Sequence, residues 1–400
     1  MKAIISPFKL SGTISAPPSK SMAHRYLIGS ALSGQKCVLT GVDYSEDILA
    51  TIDCLKALGV EITTCGDRVE VDPQNLFKVE SPQLDCRESG STLRFFIPIA
   101  LCYGKSVTLR GSDRLFARPL SVYEELCSQH GFSLDKKPNS VTVRGKLSCG
   151  NYKVKGEVSS QFITGLIFAL VRLNGNSTIE IIPPLNSRPY IDLTISALKA
   201  FGASVEFVSE YKIEIKPTKK NAYLGKIEGD YSNSAFLEAF NRIGSTVDIT
   251  NLNPDSKQGD RVYGEYFDQL EVGAPTLDIS NCPDLAPVLF SLASLKNGAT
   301  FTGTERLRIK ESDRATAMKE ELEKLGGKVT VGDDIVIVEK ASLSYKGETI
   351  NGHNDHRIVM AMTVVLSAIG GEIDGAEAVR KSYPRFFDDI VRLGAKVELI

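Results

Sequence analysis

The chain has 400 residues, is 42% hydrophobic and 24% charged, and carries a formal net charge of -2 with no tryptophan. That composition excludes a disordered chain, is ample for two or three domains, and leaves no global field to draw nucleic acid or a membrane surface, so any anion site must come from local clustering of charge. The eight cysteines, at 37, 54, 65, 86, 102, 127, 149 and 282, form no C-x-x-C pair, and the four histidines are dispersed. This pattern points to reduced thiols and to no zinc site, disulfide framework or other metal centre. Residues 1–12 lack the apolar core of a signal peptide and no run of about 18 apolar residues occurs, so a cytoplasmic chain without a membrane span is expected.

In chain order, an apolar, helix-like segment runs to Gly34 and the strand-forming Cys37-Val38-Leu39 follows. The same succession returns at Gly104 with residues 107–109, at Gly175 with 178–181, at Gly244 with 246–249, at Gly298 with 299–301 and at Gly370 with 372–373. The spacings are 70, 71, 69, 54 and 72 residues, the mark of an internal repeat with one shortened copy. A second helix recurs in each copy and ends at Leu58-Gly59, His130-Gly131, Phe201-Gly202, Val272-Gly273 (the shortened copy), Leu325-Gly326 and Leu393-Gly394. Its period is visible in Ile48, Ile52 and Leu55, in Ile191, Ile195 and Leu198, and in Met318, Leu322 and Leu325, each at i, i+4, i+7. A hairpin pattern closes several copies, as in Val329 and Val331, then Gly332-Asp333-Asp334, then Ile335 and Ile337. Each unit therefore reads helix, strand, helix, strand, strand. Six such units exceed one core, and units near 70 residues are long for an open solenoid, so two closed domains of three units are expected. The joints at Ser15-Ala16-Pro17-Pro18 and residues 225–230 give an N-terminal domain of 16–228 and a C-terminal domain of 1–15 with 229–400, the first strand included.

The starts of the first helices are unusually polar: Ser19-Lys20-Ser21, Ser89-Gly90-Ser91, Ser159-Ser160-Gln161, Ser232-Asn233-Ser234, Pro283-Asp284 and Asn354-Asp355-His356-Arg357. Ser, Asn and Asp are ordinary caps and account for any one of these starts. They do not account for Lys20, Arg25, Gln161 or Arg357, because a cation in the first turn opposes the helix dipole. Exposed amide N–H groups with cations beside them make an anion site. Further cations stand at Arg94, at Arg118 in Ala117-Arg118-Pro119-Leu120, in Lys310-Glu311-Ser312-Asp313-Arg314 and at Lys381. Taken singly each reads as a solvated surface charge, and the 310–314 run as a capped helix start. His356 reads as a packing or supporting histidine. No Walker loop, Rossmann fingerprint or serine-nucleophile elbow occurs.

Lys20-Ser21 with Arg25, Gly90 with Arg94, Arg118-Pro119, Ser159-Ser160-Gln161, Ser187 with Tyr190, Asp284, Lys310-Glu311 with Arg314, Asp355-His356-Arg357 and Lys381 occur in the order seen in the EPSP synthase family of enolpyruvyl transferases, and the chain resembles that family over its whole length. The resemblance implies an α/β fold, a two-domain inside-out α/β barrel of six βαβαββ repeat units, three per domain, with helix starts facing an interdomain cleft that closes on shikimate 3-phosphate. It implies transfer of the enolpyruvyl group of phosphoenolpyruvate to the 5-hydroxyl of shikimate 3-phosphate by addition and elimination. It places Lys20, Ser21, Arg25, Ser159, Ser160, Gln161, Ser187, Asp284 and Lys310 on shikimate 3-phosphate, and Lys20, Gly90, Arg118, Gln161, Arg314, Arg357 and Lys381 around phosphoenolpyruvate. Each substrate carries a carboxylate and a phosphate, which explains the number of cations. Asp284 is the expected base and Glu311 the expected acid, with Lys20 assisting proton transfer. No metal or organic cofactor, no nucleic acid and no membrane enter the reading, and a monomer is expected. Glyphosate binds in the phosphoenolpyruvate pocket of this family, so Gly90 implies a sensitive enzyme.

Three positions depart from the family pattern: Glu88 and Arg306 stand where asparagine is common, and Met22-Ala23-His24 replaces the usual filler, with little consequence expected. The related UDP-N-acetylglucosamine enolpyruvyl transferases carry a catalytic-loop cysteine and lack the Ser-Ser-Gln and Lys-Ser pairs. Cys102 and Cys127 flank Arg118 but do not match that loop. A non-catalytic repeat protein that binds anions would bind these substrates without turnover and have no need of Asp284 or Glu311. An enzyme acting on nucleic-acid phosphates fits poorly with the charge of -2.

Overall fold

Where an apolar helix ends and a β-branched run begins, the computed structural model, which describes all 400 residues, lays down a central strand, in most cases with the same three neighbours. The central strand pairs parallel with the strand before its helix and antiparallel with one arm of a hairpin, whose other arm forms the edge. In Gln83–Asp85, Val107–Arg110, Ser140–Arg144 and Ser133–Lys137 this order is complete. The strands bury alternate residues on one face: Val69 and Val71 of Arg68–Asp72 point inward and their neighbours outward, the period of two that the sequence showed.

The chain divides into two units, one of Met1–Ser19 with Gly229–Ile400 and one of Lys20–Glu228. In the second of these, the sheets centre on Cys37–Thr40, Val107–Arg110 and Ser177–Ile182, and Leu224–Lys226 supplies the parallel neighbour of Cys37–Thr40 from the far end of the unit. In the first, Lys2–Ile5 enters the sheet of Ile350–Asn351, Gly371–Asp374 and Val397–Leu399 as the antiparallel arm next to its centre. The shortened copy builds only a two-stranded parallel pair, Ser11–Ser15 with Thr246–Thr250.

Each unit has its own apolar core. Its middle is made of helices that are mostly apolar and are buried along most of their length: Gly90–Tyr103 against Ser160–Leu170 in one unit, Ala286–Leu295 against His356–Ile369 in the other. Gly104 closes its helix in the left-handed conformation, at φ 75°. One repeat glycine does not cap, because Ser160–Leu170 stops five residues before Gly175, in a run of turns, and Gly273 ends its helix in extended backbone. One helix start also moves. Asp230 caps Tyr231–Arg242, accepting from the Asn233 amide, so Ser232, Asn233 and Ser234 lie inside the first turn. No helix is long and apolar enough to cross a membrane.

Candidate active site

In the unit Lys20–Glu228, the helix Lys20–Ser33 places Lys20 in its first turn, where its Nζ meets Asp47 Oδ2 at 2.9 Å. Asp47 belongs to the first turn of Glu46–Ala57, the place where a carboxylate suits the helix dipole. One turn on, Arg25 is buried, donating from Nε to Thr194 Oγ1 at 2.9 Å, from Nη1 to the Ser21 carbonyl at 2.6 Å and from Nη2 to the Tyr190 carbonyl at 2.8 Å. None of these partners is charged, and burial lowers its pKa to about 10, which leaves it a cation at neutral pH.

Arg94 donates from Nη1 to Gln161 Oε1 at 2.6 Å and lies 5.1 Å over the Phe162 ring, while Gln161 Nε2 donates to Ser91 Oγ at 3.0 Å. Ser159 caps Ser160–Leu170 by accepting from the Gln161 amide. Two helix starts, at Gly90 and at Ser160, are thereby tied through Gln161. Arg118 ends the short helix Asp113–Ala117 and lies against the Gly90 start so closely that a Cβ on Gly90 would sit 2.5 Å from Arg118 Nη1. Ser187 is buried in the left-handed region at φ 56°, uncommon for a residue with a side chain. Lys20, Arg25, Arg94 and Arg118 thus gather cations at the helix starts of this unit, with Asp47 paired to Lys20.

The other half-site is different in kind. Asp284, in the short turn Pro283–Leu285 before Ala286–Leu295, accepts at Oδ1 from Lys310 Nζ (3.1 Å) and Arg314 Nη1 (2.8 Å), and at Oδ2 from Arg357 Nη2 (3.1 Å). Arg314 also donates from Nη2 to Glu311 Oε2 at 2.7 Å and from Nε to Asp355 Oδ2 at 2.9 Å. Asp355 caps His356–Ile369 through the Arg357 amide and accepts from Ser312 Oγ. Three carboxylates and three cations thus form one closed network. Burial opposes the charge on Arg314, yet Asp355, Glu311 and Asp284 raise its pKa above the ordinary arginine value. Lys310 is brought down to about 8, by burial first, with Arg314 and Arg306 adding to the fall and Asp284 opposing it. Lys381 donates to the Asn354 carbonyl at 2.6 Å, beside the same helix start. His356 is buried, its Nδ1 3.8 Å from Asp355 Oδ1.

Within their own units the structure therefore joins Lys20, Ser21 and Arg25, joins Gly90, Arg118 and Gln161 through Arg94 and Ser91, and joins Asp284, Lys310, Glu311, Arg314 and Arg357. Reasoning from the sequence gave no role to Asp47 or Asp260, and read Asp355 as a helix cap without its ion pair to Arg314. Asp260 is buried, and burial with the charge on Asp284 pushes its pKa up to about 7. Only its position in the fold reveals this, since Gln258-Gly259-Asp260 carries no motif. Cys102 and Cys127 are unsuited to nucleophilic work: burial pushes their thiols up to about 12 and about 11. Glu320, Glu321 and His353 bring ligand atoms within 4.8 Å of one another, but Glu321 already accepts from Lys324, His353 and the Asn351 amide, which explains the cluster without an ion.

Residues 5–390 match the family described as EPSP synthase (3-phosphoshikimate 1-carboxyvinyltransferase). The chain is 39% identical over 417 aligned residues to the 3-phosphoshikimate 1-carboxyvinyltransferase of Clostridium kluyveri, covering 98% of this chain and 97% of that protein. It is 37% identical to the enzyme of the same name from Clostridioides difficile, covering 98% of each. Its fold is that of EPSP synthase from Acinetobacter baumannii, with a TM-score of 0.78 at 21% identity over 99% of both chains.

Arg314→Met keeps the bulk of the side chain and leaves three carboxylates facing one another. Stripping one partner from such a buried ionic network costs about 3–5 kcal/mol. The urea midpoint of Arg314→Met is expected to fall accordingly, and a midpoint equal to the parent's would show that the network contributes nothing to stability.

Proposed function

The chain belongs to the EPSP synthase family, and on that premise we propose that both half-sites serve one reaction, in the cleft between domains that the family implies. The enzyme transfers the enolpyruvyl group of phosphoenolpyruvate to the 5-hydroxyl of shikimate 3-phosphate, giving 5-enolpyruvylshikimate 3-phosphate and phosphate. The observation that carries the site assignment is the Asp284 carboxylate, held by Lys310, Arg314 and Arg357 at 2.8–3.1 Å.

In this reading Lys20, Ser21, Arg25, Ser159, Ser160, Gln161, Ser187, Asp284 and Lys310 bind shikimate 3-phosphate. Lys20, Gly90, Arg118, Gln161, Arg314, Arg357 and Lys381 surround phosphoenolpyruvate, Arg314 mainly by fixing the carboxylates beside it. Asp284 accepts the proton of the 5-hydroxyl as that oxygen attacks C2 of phosphoenolpyruvate, and Glu311, when protonated, gives its proton to C3. Loss of phosphate from the tetrahedral intermediate, with return of the C3 proton to Glu311 and passage of the Asp284 proton to the departing phosphate, Lys20 assisting, restores the double bond and both carboxyl groups. The cations stabilise the phosphate as it leaves. The six repeat units, three per domain with helices within and sheets without, belong to the same reading, as do a cytoplasmic location and a monomeric state.

Phosphate release is the direct test. It is expected with phosphoenolpyruvate plus shikimate 3-phosphate and not with UDP-N-acetylglucosamine as acceptor. Release with the nucleotide sugar alone would assign the chain to the other enolpyruvyl transferases, and binding without release would make it an anion-binding repeat protein. Asp284→Asn and Glu311→Gln are each expected to lower kcat at least about 100-fold, the usual worth of a positioned acid or base, and a variant with unchanged kcat removes that residue from the proton steps.

Lys310 sets an alkaline limit. A lysine with a lowered pKa is charged at neutral pH and loses its proton as pH rises through about 8. The kcat/KM for shikimate 3-phosphate is therefore expected to fall above that pH, and Lys310→Arg, which keeps its charge, moves the limb upward. A limb at the same pH in both proteins assigns it to another group.

Gly90→Ala puts a methyl group against the Arg118 guanidinium, which must shift. A higher KM for phosphoenolpyruvate and weaker inhibition by glyphosate are expected. Equal inhibition constants for the two proteins contradict the assignment of Gly90.

A further inference from the structure

Four side chains outside the substrate-binding set stand in single file through the unit Lys20–Glu228. His24 Nδ1 lies 2.7 Å from Thr51 Oγ1, Thr51 Oγ1 lies 2.8 Å from Thr92 Oγ1, and Thr92 Oγ1 lies 2.8 Å from Ser89 Oγ. All are buried, none more than 1% exposed. They join three helices, Lys20–Ser33, Glu46–Ala57 and Gly90–Tyr103, and end on the residue that caps the last of them.

The protons in this file can be counted. Ser89 Oγ accepts from the Thr92 amide and from the Thr92 hydroxyl. Thr92 has no second hydroxyl proton, so it accepts from Thr51. Thr51 has then spent its own proton and accepts from His24. The ring must carry hydrogen on Nδ1, and its Nε2 is bare, buried and without a hydrogen-bond partner. A second proton on that nitrogen would be a buried charge without an acceptor. Burial, with Lys20 and Arg25 on the same helix, holds the ring well below the ordinary histidine pKa. The file is therefore neutral and has one direction.

We propose that His24, Thr51 and Thr92 are positioning residues for enolpyruvyl transfer, their file fixing the Ser89-Gly90 helix start at the height that lets Arg118 lie against Gly90 and meet phosphoenolpyruvate. The proposal rests on the reading that Gly90 and Arg118 serve that substrate. It also gives a partner to His24, in a segment expected to be of little consequence. A hydroxyl file suits the task because each link has a short, directional geometry, and small displacements at a reacting centre are costly.

The test is a pair of substitutions at two links. Thr92→Val and Thr51→Val keep shape and remove the hydroxyl, whereas Thr92→Ser and Thr51→Ser keep the hydroxyl. The valine variants are expected to raise the KM for phosphoenolpyruvate roughly tenfold, the worth of one buried hydrogen bond, with a much smaller change for shikimate 3-phosphate and with the serine variants close to the parent. The 15N spectrum of the parent is expected to show one histidine with protonated Nδ1 and bare Nε2, absent in His24→Gln. Unchanged phosphoenolpyruvate KM in the valine variants, an equal loss for both substrates, or the opposite tautomer overturns the proposal. Arg118→Lys separates it from the reading beneath it. If Arg118→Lys raises the phosphoenolpyruvate KM and the valine variants do not, the file falls and the half-site stands. If neither raises it, the half-site assignment falls and takes the proposal with it.

Discussion

The guanidinium of Arg314, 1% exposed, is the constraint on which the network of Asp284, Glu311 and Asp355 depends. A cation removed from water is held most firmly by opposite charges, and Arg314 has three, Asp284, Glu311 and Asp355. Each of those carboxylates is then fixed by something else. Asp355 must cap His356–Ile369 and hold Ser312. By capping, it sets the Arg357 amide, and the Arg357 side chain returns to Asp284. The loop closes, so no member can move without disturbing the others. Low dielectric makes each contact strong, and also makes any missing contact expensive.

The two clusters are held by different contacts. Asp284, Glu311 and Asp355 meet Lys310, Arg314 and Arg357 in direct ion pairs. Lys20 pairs with Asp47, while Arg25 donates to a hydroxyl and two backbone carbonyls and Arg94 to an amide oxygen and a carbonyl. In a chain whose net charge is -2, such groupings of cations are local.

The repeat was legible because its signals are local. A helix running into glycine and then a β-branched strand can be read from ten residues, and the central strands at 37–40, 107–110 and 177–182 lie where they were expected. The exceptions are local too. Val171 and the turns after it end their helix before Gly175, and Asp230, not Ser232, supplies a cap because its carboxylate reaches the Asn233 amide. Lys20 and Arg357 were singled out by their awkward place in first turns, and the structure puts both there. Two of the carboxylates that meet the site's cations were not. Asp47 and Asp355 look like ordinary helix-start residues, one in a first turn and one a cap, and that ordinary role hid the ionic one. Asp260 and the file from His24 to Ser89 join positions tens of residues apart, and nothing in a linear reading distinguishes a threonine that meets another threonine from one that meets water.

The halves also hold themselves in place by different means, and electrostatics gives the reason. Where carboxylates and cations balance, a charged network can fix geometry, because every charge has a counter-charge within about 3 Å. Beside Lys20 and Arg25, a further charged tie would need another buried carboxylate or cation, each costly to take from water. Hydroxyls and a neutral imidazole avoid both. Burial, with Lys20 and Arg25 on its own helix adding to it, keeps the His24 ring from taking a second proton, and the neutral ring then donates toward Thr51. Burial first, and the neighbouring cations second, thus keep the file behind the Gly90 helix start uncharged.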